Sequence, residues 1–376
     1  MHSGNGAQIS HSEPVTARII RAAALAQCCI DQQETPQARA FAEASLTLML
    51  DDPSPKVRIA IADVLSTSAY SPLHIVTALA ADQPEVAGYI VARSPLLGEA
   101  DLIDRVSFGA PLIQLLVAAR PHVSMPLAAA IAEVGTFEAI AELLRNRCAR
   151  IAALTFRRIA ERCGHDAQVR EALLVHAHLP ADCRHLLVVK VGDTLRQMPL
   201  VHRLLGERRA EKLVGDAAMR ASIDIAEACS QHELPALVEH LRLRGEVTTA
   251  FIIRVVAGGR IDLFAALMAS LSDLDEDRIC SIISRGRPAA LAALLRSAGL
   301  GDATHPALIA AVEAWRAVAS GRSKAGPVEI SALMRHVTGK GRHLAANDDL
   351  SALLSTIHQE FMRQTARERL NRISVA

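Results

Sequence analysis

The densest group of potential metal ligands in this chain is "HAHLPADCRH", residues 176–185. His176 and His178 precede Leu179-Pro180, and Cys183 and His185 follow it, so a helix ending there would leave the two pairs on either side of one turn. Imidazole and thiolate donors so placed suit a soft or borderline metal. The spacing matches no established metal site, and surface or interface histidines are the plainer reading. No metal and no cofactor is expected. The stretches "GRSKAGP" (321–327) and "GKGRH" (339–343) are rich in Gly and Lys, but they lack the G-x-x-x-x-G-K-[ST] frame and a preceding strand. There is no G-x-S-x-G nucleophile elbow either. The expectation is a protein that is not an enzyme.

Phosphate binding by side chains is the next possibility. "RNRCAR" (145–150), "FRRIAER" (156–162) and "GERRAEK" (206–212) are basic segments that could touch a nucleic-acid backbone. Solvated helix faces are the simpler account, because the formal net charge is only +1 and supplies no attracting field. Nucleic acid is therefore not the expected partner.

The elements that would carry these residues are helices. The chain has 376 residues, 51% of them apolar, 22% charged and only 3% aromatic, which favours closely packed Ala- and Leu-rich helices over sandwiches or barrels. Seven cysteines, Cys28, Cys29, Cys148, Cys163, Cys183, Cys229 and Cys280, are scattered with no C-x-x-C pair. That pattern reads as reduced thiols in a cytoplasmic protein. The first twenty residues are polar, and no uncharged apolar run approaches the roughly 18 residues of a membrane span, so no transmembrane segment is expected.

Helix punctuation is explicit at "LDDPSPKVRIAIADVL" (50–65). Pro53 bars the helical conformation at Asp52, Ser54 sits where an N-cap belongs, and Pro55 occupies the first helical position. Val57, Ile61, Val64 and Leu65 then form one apolar stripe. The same grammar predicts helix starts at Ser71-Pro72 and Ser94-Pro95, with Asp82 and Glu85 as a capping box. Pro55, Val57 and Ile61 superpose on Pro84, Val86 and Ile90 at a 29-residue shift. A clearer repeat aligns 234–260 on 261–287 at a shift of 27. It pairs Leu237 with Phe264 and Gly259 with Gly286, and Leu291 continues the series. Each unit is a helical hairpin ended by glycine, and it can bury its stripe only by stacking on its neighbours.

The resulting map has turns near 52, 70, 83, 94, 108, 121, 135, 147, 164, 180, 198, 215, 231, 245, 258, 272, 286, 300 and 322. It divides the chain into a first segment and helix (1–36), a block of helical repeats (37–200), charged connecting helices (201–233) and a second block of 27-residue units (234–320). A linker and amphipathic helix (321–376) follow, with Leu350, Leu354, Ile357 and Phe361 on one stripe. The fold class is all-α, an α-solenoid of short hairpins in possibly two halves.

The turn "DDPSPKVR" resembles that of HEAT repeats, in which Asp and Arg of adjacent repeats can stack as a ladder. The resemblance implies such roles for Asp52 and Arg58. The runs "SPLHIVTALAADQPEVAGYIVARSPLLGEADLIDRV" and "GGRIDLFAALMASLSD" are similar to an alphaproteobacterial domain of unknown function, number 2336, with HEAT-like repeats, over roughly residues 46 to 320. That family carries no agreed activity to transfer. Two HEAT-like enzyme classes fit poorly. The iron hydroxylases use several His-Glu dyads, and here there is one, His232-Glu233. The DNA glycosylases need an aromatic-lined basic groove, and this chain has one Trp and two Tyr. The functional expectation is a protein-binding adaptor or scaffold. A metal-dependent sensor or enzyme using His176, His178, Cys183 and His185, or a nucleic-acid binder, remains the alternative.

Overall fold

The computed structural model describes residues 13–272, 274–339 and 345–375. Among these it is helical throughout, with no strand and one isolated bridge, Val123 to Ala149. The chain divides into two compact units, Met1–Lys190 and Val191–Ala376.

The first unit holds α1 (Val15–Ile30), α2 (Pro36–Met49), α3 (Pro55–Leu65), α4 (Leu73–Ala80), α5 (Pro84–Arg93), α6 (Glu99–Phe108), α7 (Pro111–Ala118), α8 (Met125–Val134), α9 (Phe137–Arg145), α10 (Ala153–Cys163) and α11 (Ala167–Val175). Odd-numbered helices pack in succession from α1 to α11, and α6, α8 and α10 pack in succession beside them. The result is two layers with one continuous core between them. Val57 and Ile61 in α3 and their repeat mates Val86 and Ile90 in α5 are all fully buried in that core.

Helix punctuation follows the sequence at Pro55, which opens α3, and departs from it elsewhere. Ser54 holds the cap position without a side-chain cap bond. Its own N–H instead donates to Asp52 Oδ1 at 2.8 Å. Helix α4 begins one residue after Pro72, at Leu73, and the Ser71 hydroxyl donates back to the Leu65 carbonyl at 2.8 Å. Ser94-Pro95 opens no helix: Ser94 ends α5, its hydroxyl accepts the Leu96 N–H at 3.2 Å, and α6 starts at Glu99. Asp82 does not cap α5. Its carboxylate accepts the Gln83 N–H at 2.7 Å and is claimed by Arg58 of α3, 2.5 Å away.

That Arg58 bond belongs to a series. Arg58 also donates to the Asp52 carbonyl at 2.5 Å, and Asp52 is itself ion-paired with Arg18 of α1 at 2.9 Å. Further along, Arg105 reaches the carbonyl of Ala80, and Arg120 those of Val91 and Ser94. Asn146 reaches Ala118 and Arg120, and Arg162 reaches Ala132 and Gly135. Each of these side chains caps carbonyls at the end of an earlier helix, groups left orphaned by the helix itself. The ladder implied for Asp52 and Arg58 is thus present but offset, since Arg58 takes the carboxylate of the following turn.

The second unit opens in the latter part of α12 (Ala181–Gln197), which runs across the boundary. It continues with α13 (Pro199–Leu205), α14 (Glu207–Ala228), α15 (Leu234–Leu243), α16 (Thr249–Ala257), α17 (Ile261–Leu271), α18 (Glu276–Arg285), α19 (Pro288–Ser297), α20 (His305–Ala319), α21 (Pro327–Gly339) and α22 (Ala345–Val375). No turn forms at 215. Gly215 lies inside α14, whose 22 residues absorb the roughly 1 kcal/mol that one interior glycine costs.

The 27-residue repeat becomes the hairpins α15–α16 and α17–α18, followed by α19. Leu237, Phe264 and Leu291 are buried where α15, α17 and α19 stack. Helix α16 is buried from Phe251 to Ala257, because α20, α21 and α22 cover it as well, whereas α18 buries only Ile279 and Ile283. Two α20 side chains close the hairpin ends. Trp315 donates to the Val256 carbonyl at 2.7 Å, its ring filling the space a Cβ on Gly259 (φ +79°) would need. Arg316 donates to the carbonyls of Ile282, Ile283 and Gly286 at 2.6 to 2.8 Å. Leu350, Leu354 and Ile357 of α22 are buried, and Glu360 pairs with Arg254 at 3.2 Å, so the C-terminal helix docks on its own unit.

Candidate functional site

The histidine-rich turn does not assemble as a metal centre. Among the described residues no three His, Cys, Asp or Glu side chains stand close enough to hold a metal ion. His176, at the end of α11, packs edge-on against Phe156 with ring centres 4.7 Å apart and accepts the His178 backbone N–H on Nδ1 at 3.2 Å. Burial, reinforced by neighbouring His178, lowers its pKa. Cys183 and His185 are instead buried inside α12, while His178 is exposed. The His232-Glu233 dyad is likewise local, with Glu233 accepting from the Ser230 hydroxyl at 2.6 Å.

Burial pushes the Cys183 thiol up to about 12, helped by Asp182. A thiol that ionises near its ordinary value of 9.0 in the unfolded chain and only near 12 in the folded one costs the folded state nothing below pH 9. Between pH 9 and 12 the unfolded chain alone loses the proton, so stability falls as pH rises, by up to about tenfold in the folding constant per pH unit. The Cys183→Ala variant is expected to show a shallower loss of melting temperature over that window than the parent. Identical alkaline profiles would remove Cys183 from the account.

Of the basic segments, 156–162 has its arginines engaged. Arg157 pairs with Glu161 at 3.1 Å, Arg158 with Glu133 at 2.6 Å, and Arg162 caps α8. The 156–162 segment is thus a helix face on which each arginine has a partner.

Two other features present chemistry to solvent. In the first unit, large apolar side chains stand exposed on the even-numbered helices: Phe41 (62%) and Leu48 (64%) on α2, Leu73 (60%) on α4, Phe108 (90%) on α6 and Leu154 (80%) on α10. Helices α3, α5 and α7 between them expose only Leu112, and that moderately. Ile20, Tyr70 and Val175, of comparable exposure, lie in the first helix, in a turn and at the end of α11. Phe108 borders a cavity of about 430 Å³ between the ends of α4, α5 and α6, together with Pro84 and Asp104. A second cavity of about 310 Å³ lies at the turns preceding α8 and following α9, among Arg120, His122 and Arg150.

Residues 86–338, well over half of the chain, match the family described as "Uncharacterised protein conserved in bacteria" (DUF2336). The chain belongs to this family. The match begins within α5 and ends within α21, later at both ends than the 46–320 span read from the sequence. Both cavities have most of their lining inside the DUF2336 region, whereas Phe41 and Leu73 precede it. No curated protein and no solved structure matches the chain. Among the described residues, no helix is long and apolar enough to cross a membrane.

Proposed function

We propose that this DUF2336 chain is a non-catalytic, cytoplasmic scaffold that docks protein partners on the layer formed by α2, α4, α6, α8 and α10. The observation that carries this reading is the row of large exposed apolar side chains on α2, α4, α6 and α10, set against α3, α5 and α7, which expose only Leu112. A lone exposed Leu or Phe is ordinary. Their recurrence on α2, α4, α6 and α10 gives a partner helix or strand a row of anchors. Aromatic anchors such as Phe41 and Phe108 supply much of the binding energy at protein interfaces.

The test is crosslinked affinity capture with the full chain and with a variant carrying Phe41→Asp, Leu73→Asp, Phe108→Asp and Leu154→Asp. All four side chains are exposed, so the melting temperature is expected to hold within about 2 °C. The parent should recover a defined protein in stoichiometric amount and the variant should lose it. Equal capture by both, or recovery of the bait alone, would overturn the reading. Shortening the chain at Ser320 is not an equivalent test, because it removes α21 and α22 and strips the cover from α16.

A further inference from the structure

The 310 Å³ cavity has a built floor and an unbalanced rim. Leu97, Leu102, Val123 and Leu127 line it, all at least nine-tenths buried. Its walls are two turns held in register: the Arg150 N–H donates to the Val123 carbonyl at 2.9 Å, completing the one bridge in the unit. Asn146 ties the same turns together through the carbonyls of Ala118 and Arg120, at 2.9 and 2.8 Å, and accepts the Cys148 N–H at 3.0 Å. The cavity is therefore preorganised rather than a gap between mobile loops.

Charge on the rim does not cancel. Two arginines, Arg120 and Arg150, and His122 line it with one carboxylate residue, Glu99, which accepts the Ser124 hydroxyl. Arg120 gives two of its five N–H donors to the carbonyls of Val91 and Ser94, and no carboxylate pairs with it among the described residues. Burial depresses its pKa. An apolar floor with a few convergent polar groups is the usual make-up of a small-ligand site, and this volume lies at the lower end of their range.

We propose that the cavity binds a small aliphatic carboxylate, its head toward Arg150 and Arg120 and its hydrocarbon body over Leu97, Leu102 and Leu127. The size suits a chain of about six carbons, and the affinity for so small a ligand is on the order of 1 mM. This site borders α6 and α8 but includes none of the exposed anchors proposed for partner docking, and neither proposal requires the other.

Cys148, exposed on the rim, makes the occupant measurable, and Cys280, exposed in the other unit, is an internal control. Alkylation of both thiols by neutral iodoacetamide is followed on the intact chain by peptide mass spectrometry, with sodium hexanoate as the probe. Hexanoate at several times its dissociation constant should slow Cys148 by about threefold or more, saturably, and leave Cys280 unchanged. Hexanol should not protect. The Arg150→Gln variant, altered only at an exposed side chain, should keep its melting temperature and lose the protection. Equal slowing of both thiols, equal protection by hexanol, unchanged protection in Arg150→Gln, or no saturable protection up to about 20 mM would each overturn the proposal.

Discussion

Replacing Phe264 by Ala is expected to destabilise the second unit by about 3–5 kcal/mol. Phe264 is fully buried, and its neighbours in the repeat series, Leu237 and Leu291, are buried with it. Truncation removes a ring from the surface along which α15, α17 and α19 stack, and straight helices in register cannot collapse fully into the void. The loss should appear as a shift of several degrees in one thermal transition. Because the chain has two compact units, that transition should be assigned by a probe within residues 191–376 rather than from a whole-chain midpoint. An unchanged midpoint would remove the stacked-hairpin packing itself.

An effect of similar size is expected at the opposite end of the chain, from a different cause. Asp52 and Arg18 form an ion pair whose side chains are 1% and 6% exposed, and Asp52 also holds the Ser54 N–H. The Asp52→Ala change leaves the Arg18 guanidinium buried without its counter-charge, a situation that costs about 3–5 kcal/mol. Replacing both partners, Arg18→Met with Asp52→Ala, removes the stranded charge and should recover much of the loss. The coupling energy from the double-mutant cycle measures this. If the double variant is no more stable than Asp52→Ala alone, the penalty lies in the turn rather than in the buried cation.

The fold was legible where its signals are local. Proline at position 55, glycine at 259 and 286, and the recurrence of Leu237, Phe264 and Leu291 each report on a few consecutive residues, and the helices obey them. Errors arose where a distant residue intervenes. Asp82 reads as a cap until Arg58, two helices upstream, takes its carboxylate. Gly215 reads as a break until a long helix carries it. Of the histidine-rich turn, proximity in sequence was visible but direction was not: helical rotation in α12 turns Cys183 and His185 inward, away from exposed His178. The small cavity had no sequence signature at all. Its residues come from three separated stretches, 97–102, 120–127 and 148–150, and neither a period nor a motif joins them.

The guanidinium caps of the first unit also set how that unit can come apart. In a stacked array each repeat is coupled only to its neighbours, so opening starts at an end and spreads inward, as in a one-dimensional zipper. Along the interior the couplings are mostly one or two side-chain bonds to carbonyls, with the Arg58–Asp82 pair only partly enclosed. At the first described repeat the coupling is the enclosed Arg18–Asp52 pair. Salt screens an enclosed pair poorly. The first described repeat is therefore clasped by a contact that ionic strength weakens little, so its opening should respond less to salt than that of repeats joined through the more exposed Arg58–Asp82 pair.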